Sequence, residues 1–450
     1  MLSTSKKKII IVGAGPAGIF TALELSKDPN VEVTILDKGK ELKERMKEEY
    51  GVNCGWGGAG AFSDGKLTFS TETGGWLKDY LDEKELVKVM SKVDGIFLNY
   101  GATDKVYGTE EDEIARIARE AATAQMRLIP SKLRHLGSDR CPTILGSIRR
   151  DLEGKVNVLM ETEVKQVIVE NQTVKGVLTE DNQVIPSDFV VLAPGRSGAD
   201  WLKSEAERLK LSSSINPVDL GVRIEVPSEV LEPLTSILYE PKLVYYSKSF
   251  DDKVRTFCVN PYGYVVEERI NGLITVNGHS YLEKRSENTN FAILVSTQFT
   301  EPFRDPIAYG KYIAELANLL VSGVMIQRLG DLDIGRRSTH ERISRSIVEP
   351  TLKTAYPGDL SFVLPGRYLT DIKEMLKVMD KLVPGIYSNH TLIYGIEVKF
   401  YSSRLKLTKK LETEISNLFA IGDGAGITRG LVQSSASGMI VAQEIMKRNS

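Results

Sequence analysis

The sequence predicts an α/β chain in which a parallel sheet with an attached β-meander is interrupted by an inserted α+β domain. Three observations predict it. Short runs of β-branched and apolar residues break into glycine turns near both ends of the chain and within it, at Ile9–Val12, Leu418–Ile421 and Phe189–Leu192. Such runs read as strands buried on both faces, as in parallel sheets. Short strands separated by Asn171-Gln172 and Asp181-Asn182 read as a meander. From about Pro217 to Phe400 the chain alternates strand-like and helix-like runs of a different character.

The first element is Lys7–Val12, followed by Gly13-Ala14-Gly15-Pro16-Ala17-Gly18 and a helical pattern through Phe20, Leu23 and Leu25. Gly13 allows the turn out of the strand. Gly15 lets a pyrophosphate approach the backbone, and Gly18 lets helix and strand pack closely. The helix N-terminus offers free N–H groups and partial positive charge to phosphates, with Pro16 and Ala17 in its first turn. The next strand, Glu32–Leu36, ends at Asp37 with Lys38 beside it, which places a carboxylate where a ribose hydroxyl would sit. Strand, glycines, helix, strand and terminal acid occur in order, so this stretch reads as a Rossmann-like dinucleotide site.

Residues 38–53 are charged and helix-like and read as a solvated face. In the next stretch, five glycines fall in the eleven positions from Gly55 to Gly65, among them Gly57 and Gly58. Trp56, Phe62 and Leu67 argue against a flexible linker. The pattern reads as backbone wrapped around something flat or phosphorylated. Helices are expected over 110–125 and 142–152, and strands at 156–160, 164–170, 173–179 and 183–185, all four assigned to the meander. In the inserted domain, strands are expected at 218–226, 242–246, 255–260, 262–267, 273–277 and 292–296, and helices near 307–321 and 369–382. A final helix starts near Leu431. The expected domains are therefore 1–216 and 401–450, forming one discontinuous nucleotide-binding domain, and 217–400, a substrate domain.

The 450 residues are 42% hydrophobic and 26% charged, an ordinary globular composition. Lys and Arg (58) nearly balance Asp and Glu (60), so there is no electrostatic footprint for nucleic acid. The three cysteines are widely spaced, which excludes a disulfide framework and suggests a reducing compartment. No apolar run approaches a membrane span. The expected location is cytoplasmic, with a small-molecule partner and no metal site.

Three separated pieces resemble the FAD-binding signature of flavoproteins related to glutathione reductase and p-hydroxybenzoate hydroxylase. They are the first glycine turn, Leu192-Ala193-Pro194-Gly195, and Thr413–Asp423, which follows the pattern Thr, four residues, apolar run, Gly422-Asp423. The resemblance implies that Asp423 binds a ribityl hydroxyl, that Asp37 binds the adenosine ribose, and that Glu163-Val164 contacts adenine through the backbone. A closer resemblance is to a group of bacterial and archaeal FAD-dependent dehydrogenases. It spans nearly the whole chain and is carried by Cys54–Leu67, Thr275–Ser280, Gly335–His340 and Gly422–Gly438. Unlike glutathione reductase, the chain has one glycine motif in a strand-to-helix context and no Cys-x4-Cys pair. The implied layout is that of the hydroxylase and oxidase branch.

FAD carries the redox chemistry and the protein supplies binding and electrostatics. Gly424-Ala425-Gly426 would aim N–H groups at the flavin edge where negative charge develops. Ser63, Asp64 and Lys66 are expected at the flavin site, with Lys66 offsetting charge on the reduced ring. Cys54 is a candidate redox or substrate contact, against the preferred reading of a packed hydrophobe. His279 is a candidate for proton transfer, against a structural role at a strand end. Arg336, Arg337 and His340 could grip an anionic substrate or a nicotinamide phosphate, against a solvated face. His135 and His390 have no context that raises them. The expected function is an FAD-dependent dehydrogenase or reductase exchanging a hydride with a small organic substrate. NAD(P)H would bind transiently in the cleft beside the inserted domain. The alternatives are an FAD monooxygenase and a reductase of prenyl or lipid double bonds, and a flavin-containing nucleic-acid-modifying protein is disfavoured by the charge balance.

Overall fold

A computed structural model describes residues 6–47, 54–214, 216–270, 272–297, 305–399 and 402–449. It divides into two units: Met1–Lys105 with Arg134–Asn216 and Ser402–Ser450, and Val106–Leu133 with Pro217–Tyr401.

In the first unit, five parallel strands lie in the order Leu418–Ala420, Phe189–Leu192, Lys7–Val12, Val31–Leu36, Asn157–Leu159. Ile10, Ile11, Val190, Val191 and Leu418 are almost wholly buried, which explains their β-branched and apolar character. The meander is Val164–Glu170, Thr173–Thr179 and Val184–Pro186. Asn157–Leu159, expected as its first strand, instead joins the parallel sheet, with Thr34 opposite Asn157. It follows the helix Cys141–Asp151, and a strand reached through a helix returns parallel to the sheet rather than as a hairpin. The helices Pro16–Leu25 and Leu431–Asn449 pack closely, because a Cβ on Gly438 would lie 2.2 Å from the Ala17 carbonyl oxygen. The helix Glu83–Asn99, not anticipated from the sequence, is capped by the Asp82 carboxylate and stacks Phe97 on Phe20 at 5.1 Å.

The second unit is built on an eight-stranded mixed sheet. Its order is Tyr356–Pro357, Met325–Arg328, Leu392–Lys399, Val218–Pro227, Asn288–Thr297, Lys253–Asn260, Lys242–Tyr246, Arg127–Ile129. All neighbours are antiparallel except the first pair. Leu220, Val222, Ile224 and Val226 share a core with the helices Ser228–Leu238, Pro306–Leu320 and Gly366–Met379. The alternate residues Asp219, Arg223 and Glu225 are also buried, so this strand is dry on one face and buried-polar on the other.

Residues 106–133 group with this second unit, not with the first as the expected boundary at 216 had it. The reason is pairing at a distance. Leu128 lies opposite Leu243, and Ile117, Ala121 and Met126 enter the second core. The amphipathic helix Glu111–Thr123 announces an apolar stripe but not which core receives it. No helix among the described residues is long and apolar enough to cross a membrane.

Candidate dinucleotide site

In the first unit, glycines from four parts of the chain meet. A Cβ on Gly13 (φ +113) would lie 2.1 Å from the Ala193 carbonyl oxygen, and one on Gly18 would lie 2.0 Å from that of Gly13. These two glycines are required by packing. Gly15 differs: nothing lies within 4 Å of where its Cβ would be, and it caps the helix that starts at Pro16. Gly422 (φ +74) approaches Ala17, and Gly424 abuts the Gly195 backbone, with the Gly195 Cβ direction itself open. Gly426 (φ +71) closes the turn Asp423–Ala425 against the Ser403 carbonyl.

Asp37 is buried, and its carboxylate accepts three backbone N–H groups. Oδ2 takes Ala14 at 2.8 Å, and Oδ1 takes Gly39 at 2.8 Å and Gly55 at 2.7 Å. It stitches the glycine turn to the wrap that follows, with one acceptor position on Oδ2 not taken by these three bonds. Lys38 is exposed and pairs with Glu163 at 3.6 Å, while Val164 is buried at the start of its strand.

The wrap lies directly on the turn. Gly57 N donates to Ala14 O at 2.8 Å, a Cβ on Gly58 would come within 3.0 Å of Gly15 Cα, and one on Gly60 within 2.9 Å of the Pro16 ring. Trp56 is fully buried and donates its indole N–H to Leu145 O at 2.9 Å. Arg45 holds the wrap in place, with Nη1 donating to Trp56 O at 2.5 Å and Nη2 to Gly58 O at 3.0 Å. The solvated-face reading of the charged stretch is therefore wrong for Arg45, which is 2% exposed. Its helix is short, Leu42–Arg45, and residues 48–53 lie outside the described ones. Charge runs look alike in sequence whether or not one member meets a distant carbonyl. Arg45→Met should lower the stability of the chain by about 2–4 kcal/mol, because two buried carbonyls lose their donors. A denaturant midpoint equal to wild type would show those bonds to be replaceable.

Beyond the wrap, the chain runs from Gly15 to the loop after Asp423. The strand Lys66–Phe69 leads to Thr73 and Gly74, whose carbonyls accept from Gln433 Nε2 at 2.8 Å and Arg429 N at 2.7 Å. Gly75 bridges Thr428, and Trp76 N donates to Ile427 O at 2.8 Å. Along this path Ser63 Oγ donates to Gly60 O at 3.1 Å, and Asp64 pairs with Lys66 at 2.9 Å. The Lys66 side chain is only 6% exposed. Cys54 is half-buried, and Cys141 is buried with its thiol pushed up to about 12 by desolvation. Asp423 accepts from Thr428 Oγ1 at 2.9 Å, and burial raises its carboxyl pKa against the pull of Arg196.

The remaining candidates lie in the second unit. His279 ends the strand Leu273–His279 opposite Tyr264, half-buried, with its ring 6.4 Å from that of Tyr281. Two neighbours in the same segment have structural duties: Asn277 Oδ1 accepts from Arg223, and Gly278 leaves room for that guanidinium. Arg336 is committed to the buried Asp331 at 2.7 Å, whose other oxygen accepts from Ser338. Arg337 is exposed with no side-chain partner among the described residues, and His340 is exposed at the start of a short helix capped by Thr339. His135, passed over in the sequence, lies in the first unit beside Lys66 and Asp64. Nothing local signals this, since its partners are some seventy positions away in the chain.

A parallel sheet with a glycine turn, a helix N-terminus and an open Gly15 defines a dinucleotide-binding protein. Comparison with known families refines this. Residues 217–400 match a family described as FAD-dependent protein, C-terminal domain-like. Residues 11–83 match the NAD(P)-binding Rossmann-like domain, and residues 140–215 match glucose inhibited division protein A. Each match covers part of the chain, and together they mark an enzyme whose cofactor is FAD. It is similar, at 25% identity over 98% of its length and 81% of the relative's, to an uncharacterized protein of Clostridium beijerinckii. Among solved structures it is similar to L-proline dehydrogenase from P. horikoshii, with 15% identity and a TM-score of 0.45 over 99% of this chain and 94% of that one. It is also similar to glycine oxidase from Bacillus cereus, with 13% identity and a TM-score of 0.42 over 99% and 96%.

The residues fit FAD. The open Gly15 at a helix N-terminus suits the pyrophosphate, and Asp423, half-buried on a glycine turn, offers an acceptor to a polyol.

Proposed function

We propose that this oxidoreductase is a dehydrogenase or reductase that exchanges a hydride between the FAD N5 position and a small organic substrate or NAD(P)H. When bound, FAD supplies the two-electron chemistry. The chain's own residues bind and orient it. The Pro16–Leu25 helix N-terminus and Gly15 receive the phosphates, Asp423 accepts a ribityl hydroxyl, and the Gly424–Gly426 backbone presents N–H dipoles toward developing negative charge. The observation that carries the reading is the buried Lys66 ammonium, paired with the partly exposed Asp64, on the segment running from Gly15 to Thr428. A cation there, shielded from water, favours an electron-rich ring.

The Gly13–Gly18 motif between its strand and helix serves FAD, and no second GxGxxG of that strand-to-helix kind remains for a nicotinamide nucleotide. Of the two arginines put forward for its phosphate, Arg337 has the uncommitted fork among the described residues. Anaerobic mixing of the yellow protein with NADPH should bleach the flavin band faster than NADH does, and Arg337→Ala should erase that preference while retaining FAD. Substrate-stimulated oxygen uptake with insertion of an oxygen atom into product would overturn the dehydrogenase reading in favour of a monooxygenase. Cys54→Ala should keep bleaching rates within about threefold of wild type, as a packed thiol requires. Loss of turnover with normal flavin content would make Cys54 a participant.

A further inference from the structure

Asp64 and Lys66 flank Gly65, and Gly65 is where the returning chain is pinned. Leu136 N donates to Gly65 O at 2.8 Å. A Cβ on Gly65 (φ +67) would lie 2.9 Å from Leu136 Cβ and 2.9 Å from Cys141 Sγ. On the other side of His135, Arg134 forms a two-point ion pair with Asp94, Nε–Oδ1 at 2.8 Å and Nη2–Oδ2 at 2.9 Å, and also donates to Thr103 O. The backbone at His135 is thus held from both neighbours. Its imidazole, 4% exposed, is hydrogen-bonded to the Asp64 backbone and lies within the fields of Lys66, Asp64 and Asp139.

A buried ammonium such as Lys66 gains little from its carboxylate unless the geometry of the pair is enforced, because desolvation offsets their attraction. We propose that His135 is a positioning residue for the Asp64–Lys66 pair, holding the ammonium on the path from Gly15 to Thr428 so that its charge bears on the flavin. This rests on the reading that the path lines FAD. Burial, then the Lys66 charge, pushes the His135 imidazole down to about 4, so it stays neutral at physiological pH. Cys141, the other titratable group packed on Gly65, stays a thiol because burial pushes it up to about 12. Asp139 supplies the remaining charge facing the ring. The site therefore keeps one arrangement of charge across the range in which an ordinary histidine would titrate.

The test is the midpoint potential of bound FAD in the holoenzyme, with flavin content and visible spectrum recorded for each variant. Lys66→Met should shift the reduction equilibrium at least tenfold toward oxidised flavin, about 30 mV for a two-electron couple. His135→Phe should shift it at least threefold in the same direction. The double variant should shift no further than Lys66→Met alone, since one residue acts through the other. His135→Gln, which keeps a hydrogen-bonding head, should restore most of the potential. If His135→Phe does not fold, His135→Leu, which has no hydrogen-bonding head, takes its place with the same expectation. The proposal is overturned if the His135 variant leaves the potential unmoved at full flavin content, or if the two shifts add. It also falls if the wild-type potential shows a break near pH 6.5 that His135→Gln removes. An unmoved potential in Lys66→Met would overturn both this proposal and the placement of Lys66 beside FAD, whereas shifts that add leave that placement standing.

Discussion

Gly15→Ala should fold like the wild type yet bind FAD at least tenfold more weakly, while Gly18→Ala should lose several kcal/mol of stability. The two glycines stand three positions apart in one motif but do different work. A Cβ on Gly15 meets no protein atom within 4 Å, and its φ of −80° suits any L-residue. The methyl group therefore projects into space that a phosphate occupies only if FAD binds there. A Cβ on Gly18 would lie 2.0 Å from Gly13 O and 3.1 Å from the Ile11 side chain. It can be accommodated only by lifting the helix from the strand, and overpacking of this kind costs about 1–3 kcal/mol or more. Gly13→Ala should be at least as damaging, since a carbonyl clash at 2.1 Å is added to a φ of +113°. Thermal unfolding of the apoprotein and FAD titration separate the effects. Wild-type FAD affinity in Gly15→Ala would place the pyrophosphate elsewhere.

Arg223→Met should destabilise the chain by about 3–5 kcal/mol, and Glu397→Gln by a similar amount, because the first leaves Glu397 to Lys399 alone and the second leaves a buried guanidinium without its carboxylate. Both side chains are 0% exposed. The guanidinium gives Nε and Nη2 to the two Glu397 oxygens at 2.8 Å, and Nη1 to Asn290 Oδ1 at 2.8 Å and Cys258 O at 3.1 Å. Its remaining Nη2 hydrogen reaches Asn277 Oδ1 at 3.3 Å. All five N–H groups are consumed, which makes this arginine a component of the sheet and not a substrate grip. Lys399 adds a second cation, 3.0 Å from Glu397 and 3.5 Å from Glu268. Replacing Arg223 and Glu397 together by Met and Leu should recover much of the loss, since no single charge is then stranded. Denaturant midpoints of the two single variants and the double one measure this. Strictly additive losses would mean that the pair is not the unit of stability.

The parallel sheet and its glycine turns were legible in the sequence because their causes are local. Runs such as Ile9–Val12 are apolar at every position because both faces are covered, and Gly13 and Gly422 stand where φ is positive. Asp37 was legible as an acid ending a strand. That it spends three of its four acceptor positions on backbone N–H groups was not, because one donor, Gly55, belongs to a wrap eighteen residues on.

The class of fold and the strand, glycine turn and helix of a dinucleotide unit could be read from the chain alone, since all three lie within a few neighbouring residues, whereas FAD came from the family resemblance of pieces hundreds of residues apart. Tertiary structure alone decided the rest. Residues 106–133 joined the second unit because Leu128 found Leu243, and Asn157–Leu159 joined the parallel sheet because Thr34 was its neighbour. Arg45 became an interior cation because Trp56 and Gly58 turned their carbonyls toward it, and His135 was set beside Lys66 by a chain reversal pinned at Gly65. Periodicity and propensity report which face of an element is apolar. They carry no record of which distant carbonyl or strand edge completes it, and burial of a charge depends on that partner.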